Sequence, residues 1–302
     1  MIQDKWIKTP RSWQTDSIEK VIAVMYQTYG VDISYYDEPF LVKSLENRQR
    51  STIQSTLDKK TPEAYLTLLS KDRVEAMALA QSLRVTYSEF FRNQLSFALL
   101  RQLILPNLVD KRINNQILKN QNQNEIRVWS SGCATGQEVW SLAILLDEIL
   151  SLQEPPIPFR IFGTDASEAN LSIASAGIYN EEAMGNVCLK HIGKYFTRQG
   201  ESFVVVPRIR ERVDFSVYDL LDKTLTCPSI SIYGHFDLVL CCNVLLYYSI
   251  ESKQLILNKL WGCLAPFGYL ITGEAERQCV GLVNGFRAIA PPAAIFQKNG
   301  KK

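Results

Sequence analysis

The chain has 302 residues, 46% of them hydrophobic, enough to bury a sizeable core as one large domain or two smaller ones, and the pattern along it favours two. A net charge of +2 and a pI near 8.1 leave no basic footprint, so nothing calls for nucleic acid or an anionic membrane as partner. No apolar run approaches the ~18 residues that span a bilayer, and the opening Met1-Ile-Gln-Asp-Lys lacks the layout of a signal peptide. No membrane insertion and a cytoplasmic location are therefore expected. The cysteines, Cys133, Cys188, Cys227, Cys241, Cys242, Cys263 and Cys279, show no CxxC spacing, and only His191 and His235 could add imidazole. No metal site is expected, and the cysteines read as buried free thiols of a reducing compartment.

Helix dominates the first third. Ile18, Val21, Ile22, Met25, Tyr26 and Tyr29 recur at helical spacing between an Asp16-x-x-Glu19 start signal and Gly30. Thr61-Pro62-Glu63 marks a second start, with Thr61 as cap, and more helix is expected over 72–84 and 93–109. From Asn114 to Glu125 the chain turns too polar to pack and reads as a domain junction. The spacing thus predicts an all-α N-terminal domain over 1–118 and an α/β domain over 119–302.

In the second part, apolar runs at 126–131, 159–164, 236–242 and 268–273 alternate with helical stretches at 137–152, 167–175 and 251–264, the signature of βαβ units around a parallel sheet. Two β-rich runs within Ser202 to Phe215 suggest a small antiparallel insertion, placed at about 180–215. Phe286-Arg-Ala-Ile289 and Ala294-Ile-Phe-Gln297 are expected to close the sheet.

In an open α/β sheet the ligand lies beyond the carboxyl ends of the strands. After the first strand comes Ser131-Gly-Cys-Ala-Thr-Gly136, whose small residues let backbone N–H groups approach a ligand before a helix starts near Gln137. Alone this pattern fits a tight strand-to-helix turn with no ligand equally well. The second strand ends in Asp165, which could accept from both ribose hydroxyls of a nucleoside or simply cap the next helix. Two features favour a sulfonium cofactor over a dinucleotide. The third glycine of Gly-x-Gly-x-x-Gly is missing, and Glu138 in the first helical turn would repel a pyrophosphate but suit a cation.

Over residues 16 to 297 the chain resembles CheR-type protein-glutamate O-methyltransferases of chemotaxis receptors. The resemblance is carried by Leu83-Arg-Val-Thr-Tyr-Ser-Glu-Phe-Phe-Arg92, Ala134-Thr-Gly-Gln-Glu-Val-Trp-Ser141 and Cys242-Asn-Val-Leu-Leu-Tyr247. Gly163-Thr-Asp165, Ala176-Gly-Ile-Tyr179, Phe215-Ser-Val-Tyr-Asp-Leu-Leu-Asp222 and Leu264-Ala-Pro-Phe-Gly-Tyr-Leu270 follow the family in the same order. It implies a Rossmann-like S-adenosylmethionine methyltransferase sheet with a small antiparallel β insertion behind a helical N-terminal domain. S-adenosylmethionine would be the cofactor and S-adenosylhomocysteine the product. Glu138 would hold the cofactor's charged end, Asp165 its ribose, Asp219 and Leu220 the adenine edge, and Asn243 the methionine moiety, with Gly136 and Cys242 in the same set. Thr86, Ser88 and Arg92 would reach over from the helical domain to close the cofactor site and contact the cofactor, and Arg92 and Tyr247 would orient the substrate carboxylate as the catalytic pair.

The partner so implied is the cytoplasmic helices of a methyl-accepting chemotaxis receptor, met by a monomer. Several family positions differ. Gln137 replaces the first of two glutamates, Val139 a proline, Cys242 an arginine and Glu274-Ala275 a His-Ser pair. Around 37–52, where the family presents a basic face to receptor helices, only Lys43, Arg48 and Arg50 stand against Asp37, Glu38 and Glu46, which predicts weak docking on an acidic surface. The short connection Arg198-Gln-Gly-Glu-Ser202 in the inserted hairpin predicts no binding of a receptor's C-terminal tether peptide. Two alternatives stay open: a catalytically weak or inactive cofactor-binding regulatory module, and a methyltransferase with a different acidic substrate.

Overall fold

In the computed structural model, which describes residues 13–52, 61–117, 125–231 and 234–300, the alternating apolar runs of the second half become parallel strands of one sheet. The N-terminal pentapeptide and residues 118–124 of the polar junction lie outside the described residues. Strands covered on both faces are predominantly apolar, and β7 (Phe236–Cys241) is buried along its whole length, with Asp237 its one charged residue. Beside it lie β1 (Ile126–Ser131), β2 (Phe159–Asp165), β6 (Val213–Val217) and β8 (Leu264–Thr272), all parallel, with Val128 opposite both Ile161 and Leu238. β10 (Ile295–Lys298) adds antiparallel to β8, and β9 (Phe286–Ala288) antiparallel to β10, as the sequence led us to expect. The order is β6-β2-β1-β7-β8-β10-β9. Chain direction across the sheet reverses at β1, which opens a crevice at the carboxyl ends of β1 and β7.

The run from Ser202 to Phe215 divides in a way the sequence did not suggest. Its first half, β5 (Ser202–Val205), pairs with β3 (Ile178–Asn180) and β4 (Phe196–Gln199) in a three-stranded antiparallel sheet. Its second half is β6, an edge strand of the large sheet, with Val213 opposite Ile161. Pro207 opens a single helical turn (Pro207–Arg210) between them, and that turn redirects the chain.

Residues Thr86–Leu246 and Lys253–Lys302 form one compact unit. It includes α5 (Gln94–Leu99), a π-helical turn over Leu100–Ile104, and α6 (Leu105–Ile117). The sequence assigned these helices to the N-terminal domain. Phe97, Leu100, Ile104, Leu105 and Leu108 instead share a core with Val128, Ile161 and Leu238 of the sheet. A buried ion pair of 2.5 Å between Arg112 and Asp237 ties α6 to β7.

The other unit holds α1 (Thr15–Tyr29), α2 (Glu38–Thr52), α3 (Pro62–Leu69) and α4 (Arg73–Ser82), together with Tyr247–Ser252. Val21, Met25, Leu41, Leu45, Tyr65, Leu69, Ala76 and Leu79 make its core. α1 starts one residue before Asp16 with no side-chain cap, so Asp16 serves in the first turn rather than as the cap of a box, and Gly30 (φ 69°) ends it. Thr61 caps α3 as expected, accepting from the Ala64 N–H at 3.2 Å. Buried Glu75 accepts from Tyr65 Oη (2.6 Å) and pairs with Arg48 (2.5 Å). Tyr248 stacks on Tyr36 at 5.5 Å, and Tyr247 meets Phe40 at 4.9 Å.

Cys227 and Cys263 are joined as a disulfide, against the expectation of free thiols throughout. Cys133 and Cys241 are buried thiols, whereas Cys188 is exposed and Cys242 and Cys279 are half-buried. Among the described residues no helix is long and apolar enough to cross a membrane.

Candidate active site

The turn from β1 into α7 (Gln137–Leu150) is set by packing beneath it. Gly136, the residue before α7, has φ 92°, and a Cβ there would stand 2.7 Å from the Ala174 Cβ and 2.9 Å from its Cα. The close approach this glycine permits is therefore that of α8 (Glu168–Ala176). Asp165, at the end of β2, accepts from the Ala134 N–H (3.0 Å), the Ser167 N–H (2.9 Å) and Asn170 Nδ2 (3.2 Å). The cap of α8 is Ser167, which accepts from the Asn170 N–H at 3.3 Å, so Asp165 does not cap the helix, the alternative the sequence offered. It holds the cap residue and ties the glycine turn to the second strand. Tyr218 N–H donates to the Asp165 carbonyl at 3.1 Å, which brings the segment leading to Asp219 and Leu220 alongside.

Beyond the ends of β1 and β7 lies a cleft lined by Ser88, Arg92, Glu138, Cys242 and Asn243, together with Tyr87 and Gly132 to Ala134. Arg92 arrives there because the residues before it are anchored to the sheet unit. Phe90 is fully buried between Tyr179 and Phe196, with ring centroids at 5.0 and 5.6 Å. The Phe91 N–H donates to Ser141 Oγ on α7 at 3.0 Å. The loop bearing Ser88 and Arg92 thus belongs to the sheet unit, and does not reach across from the helical one as the sequence suggested. The Arg92 guanidinium lies 5.0 Å from the centre of the Tyr87 ring and donates to the Tyr87 carbonyl at 3.5 Å.

Glu138 accepts from the Ser130 hydroxyl at 2.8 Å. Burial pushes its carboxyl up to about 7, with Glu276 adding to the shift and Ser130, Cys242 and Arg92 opposing it. Burial likewise pushes the Cys242 thiol well up, so it meets Glu138 as a neutral group. The sequence did not single out Ser130, Tyr87 or Glu276. For Glu276 a signal exists, since Gly273-x-x-Glu276 has the spacing of a capping box.

Among the described residues, Thr86, Asp165, Asp219 and Leu220 do not line this cleft. Thr86 is exposed, Leu220 is buried, and exposed Asp219 accepts from the Leu221 N–H at 2.8 Å. Tyr247 falls with the helical unit. Two substitutions against the family pattern have local roles. Gln137 is buried and accepts the Thr135 hydroxyl at 2.7 Å, locking the turn, and Val139 packs in the core.

The chemistry of the cleft fits a cationic ligand such as S-adenosylmethionine: the Glu138 carboxylate is there to meet an ammonium group, and Gly132, Cys133 and Ala134 put small residues beside it. A sheet of this order with such a crevice defines a methyltransferase of the Rossmann-like class. Residues 86–291 match the CheR methyltransferase, SAM binding domain. Chemotaxis protein methyltransferase 1 of Pseudomonas aeruginosa is 35% identical over 207 residues, 67% of this chain and 68% of that one. The chemotaxis protein methyltransferase of Borreliella burgdorferi is 27% identical over 264 residues (86% and 88%), and that of Escherichia coli 27% over 263 (85% and 82%). The chain belongs to the CheR methyltransferase family.

Proposed function

We propose that the protein methylates glutamate side chains on the cytoplasmic helices of a methyl-accepting chemotaxis receptor, leaving S-adenosylhomocysteine. The observation that supports this reading is the pairing, in one cleft, of the half-buried carboxylate Glu138 with the guanidinium of Arg92. Glu138 suits a cationic cofactor end, and Arg92 suits an incoming carboxylate. S-adenosylmethionine, when bound, supplies an electrophilic methyl group on a sulfonium. A glutamate side chain, with a reference pKa near ~4.3, is already ionised at neutral pH and needs no general base.

Alignment is then the enzyme's task. Arg92, stacked on Tyr87, grips one carboxylate oxygen and leaves a lone pair of the other free to point at the methyl group. The assignment of Tyr247 to the same carboxylate rests on the motif Cys242-Asn-Val-Leu-Leu-Tyr247 and is checked by Tyr247→Phe. On α2, Arg48 is engaged by Glu75 and Arg50 by Glu46, which leaves exposed Lys43 to face a receptor and supports weak docking through that helix. The reading is tested by incubating the protein with methyl-labelled S-adenosylmethionine and receptor-bearing membranes. Base-labile label on the receptor, lost with Arg92→Ala, is the expected result. Label on other proteins alone would refute the receptor assignment.

A further inference from the structure

Glu276 is wholly buried, on a 3₁₀ segment (Glu274–Leu282) that follows β8. Its Oε2 accepts from the Gly273 N–H (2.7 Å) and the Asn243 N–H (2.8 Å), and its Oε1 from the Leu246 N–H (3.3 Å). One carboxylate thereby joins the end of β8 to the loop that follows β7. That loop contains Asn243 at φ 60°, a conformation that asparagine tolerates but that costs energy unless its surroundings hold it. Gly273 makes room for the junction, since a Cβ there would stand 2.8 Å from Glu276 Oε2 and 2.9 Å from Asn243 Nδ2. Burial pushes the Glu276 carboxyl up, and the backbone donors of Gly273, Asn243 and Leu246 oppose that shift.

We infer that Glu276 is a positioning residue, which fixes the left-handed backbone of Asn243 and, through it, the grip on the cofactor's methionine end. The inference rests on the reading of Asn243 as a cofactor residue. Only a group with two acceptor oxygens can serve all three N–H donors at once. Glutamine of the same length would turn an NH2 toward at least one of them. Glu276 itself does not line the cleft among the described residues, so it acts only through the loop it holds.

A double-mutant cycle on the full chain tests this, with S-adenosylhomocysteine binding measured by calorimetry. Losing a hydrogen bond to a charged group should weaken binding roughly tenfold in Glu276→Gln. Asn243→Gly, which tolerates the positive φ and removes the side chain, should weaken binding as well. In the Asn243→Gly background, Glu276→Gln should then change binding less than about twofold, because the two act as one unit. Equal losses in both backgrounds would show a merely structural role and overturn the inference. Unchanged binding in Glu276→Gln beside a weakened Asn243→Gly would overturn it alone. Unchanged binding in Asn243→Gly would remove the cofactor reading of Asn243 and the inference together. Should Glu276→Gln fail to fold, Glu276→Asp keeps the charge, shortens the reach and enters the same cycle with the same criteria.

Discussion

Replacing Glu138 by glutamine should remove a pH dependence of cofactor binding that the wild-type protein shows. The Glu138 carboxyl sits at about 7 because burial disfavours its charge, with the Ser130 hydroxyl, Cys242 thiol and Arg92 guanidinium only partly compensating. A bound ammonium group needs the ionised form, so apparent affinity scales with the fraction of protein ionised at that site. With a carboxyl at about 7, roughly one molecule in ten is ionised near pH 6 and about three in four near pH 7.5, a gain in affinity of roughly eightfold. Calorimetric titration of S-adenosylmethionine across that window measures it. Keeping below pH 7.5 limits interference from the ligand's own amino group. Glu276 is the other nearby carboxyl raised by burial, and the comparison with Glu138→Gln separates the two. A flat wild-type profile, or an equal slope in Glu138→Gln, would refute the assignment of the cofactor's cationic end to Glu138.

Other consequences follow from the same residues. Because the folded-state pKa of Glu138 lies above its unfolded value, its contribution is fully present below about pH 4.3 and fades as pH rises through about 7. The thermal midpoint of the ligand-free protein should carry a downward component there that Glu138→Gln lacks. Phe90→Ala empties a fully buried site between two aromatic rings and should cost about 3–5 kcal/mol by chemical denaturation, with loss of methyl transfer as the Arg92 loop loosens. Arg112→Met leaves Asp237 buried without its cation and should cost about 3–5 kcal/mol. Methionine should leave residual methyl-transfer activity in the folded fraction, since neither residue lines the cleft.

The parallel strands were legible because strands covered on both faces are mostly apolar, and runs such as Phe236–Cys241, apolar but for Asp237, stand out along the chain. The cleft was legible where charge does the work, at Arg92 and Glu138, whose type and spacing carry chemistry. Features fixed by packing over long distances were not. Phe90 reads in sequence as one apolar residue of a pair, and only the fold reveals that Tyr179 and Phe196 hold it and carry the Arg92 loop onto the sheet unit. Between Ser202 and Phe215, Pro207 marks a break between two β-rich runs, but nothing local tells that the first pairs in a hairpin and the second joins the edge of the large sheet. Gly136 was read as room for a ligand, and Ala174 shows what it makes room for. Cys227 and Cys263 stand 36 positions apart, with no spacing to announce their pairing. Glu276 escaped notice because its partners are backbone N–H groups of Asn243 and Leu246, some thirty residues earlier.

The central claim is that Arg92 aligns a receptor carboxylate for methylation in the cleft that Glu138 completes. Mass spectrometry of receptor peptides, after incubation with S-adenosylmethionine and either wild-type protein or Arg92→Ala, tests it most directly. The account predicts one methyl group on glutamate side chains with the wild type, and none with Arg92→Ala although that variant still binds S-adenosylhomocysteine. Methylated glutamate at wild-type levels with Arg92→Ala, or an unmodified receptor with a wild-type protein that binds the cofactor, would contradict it.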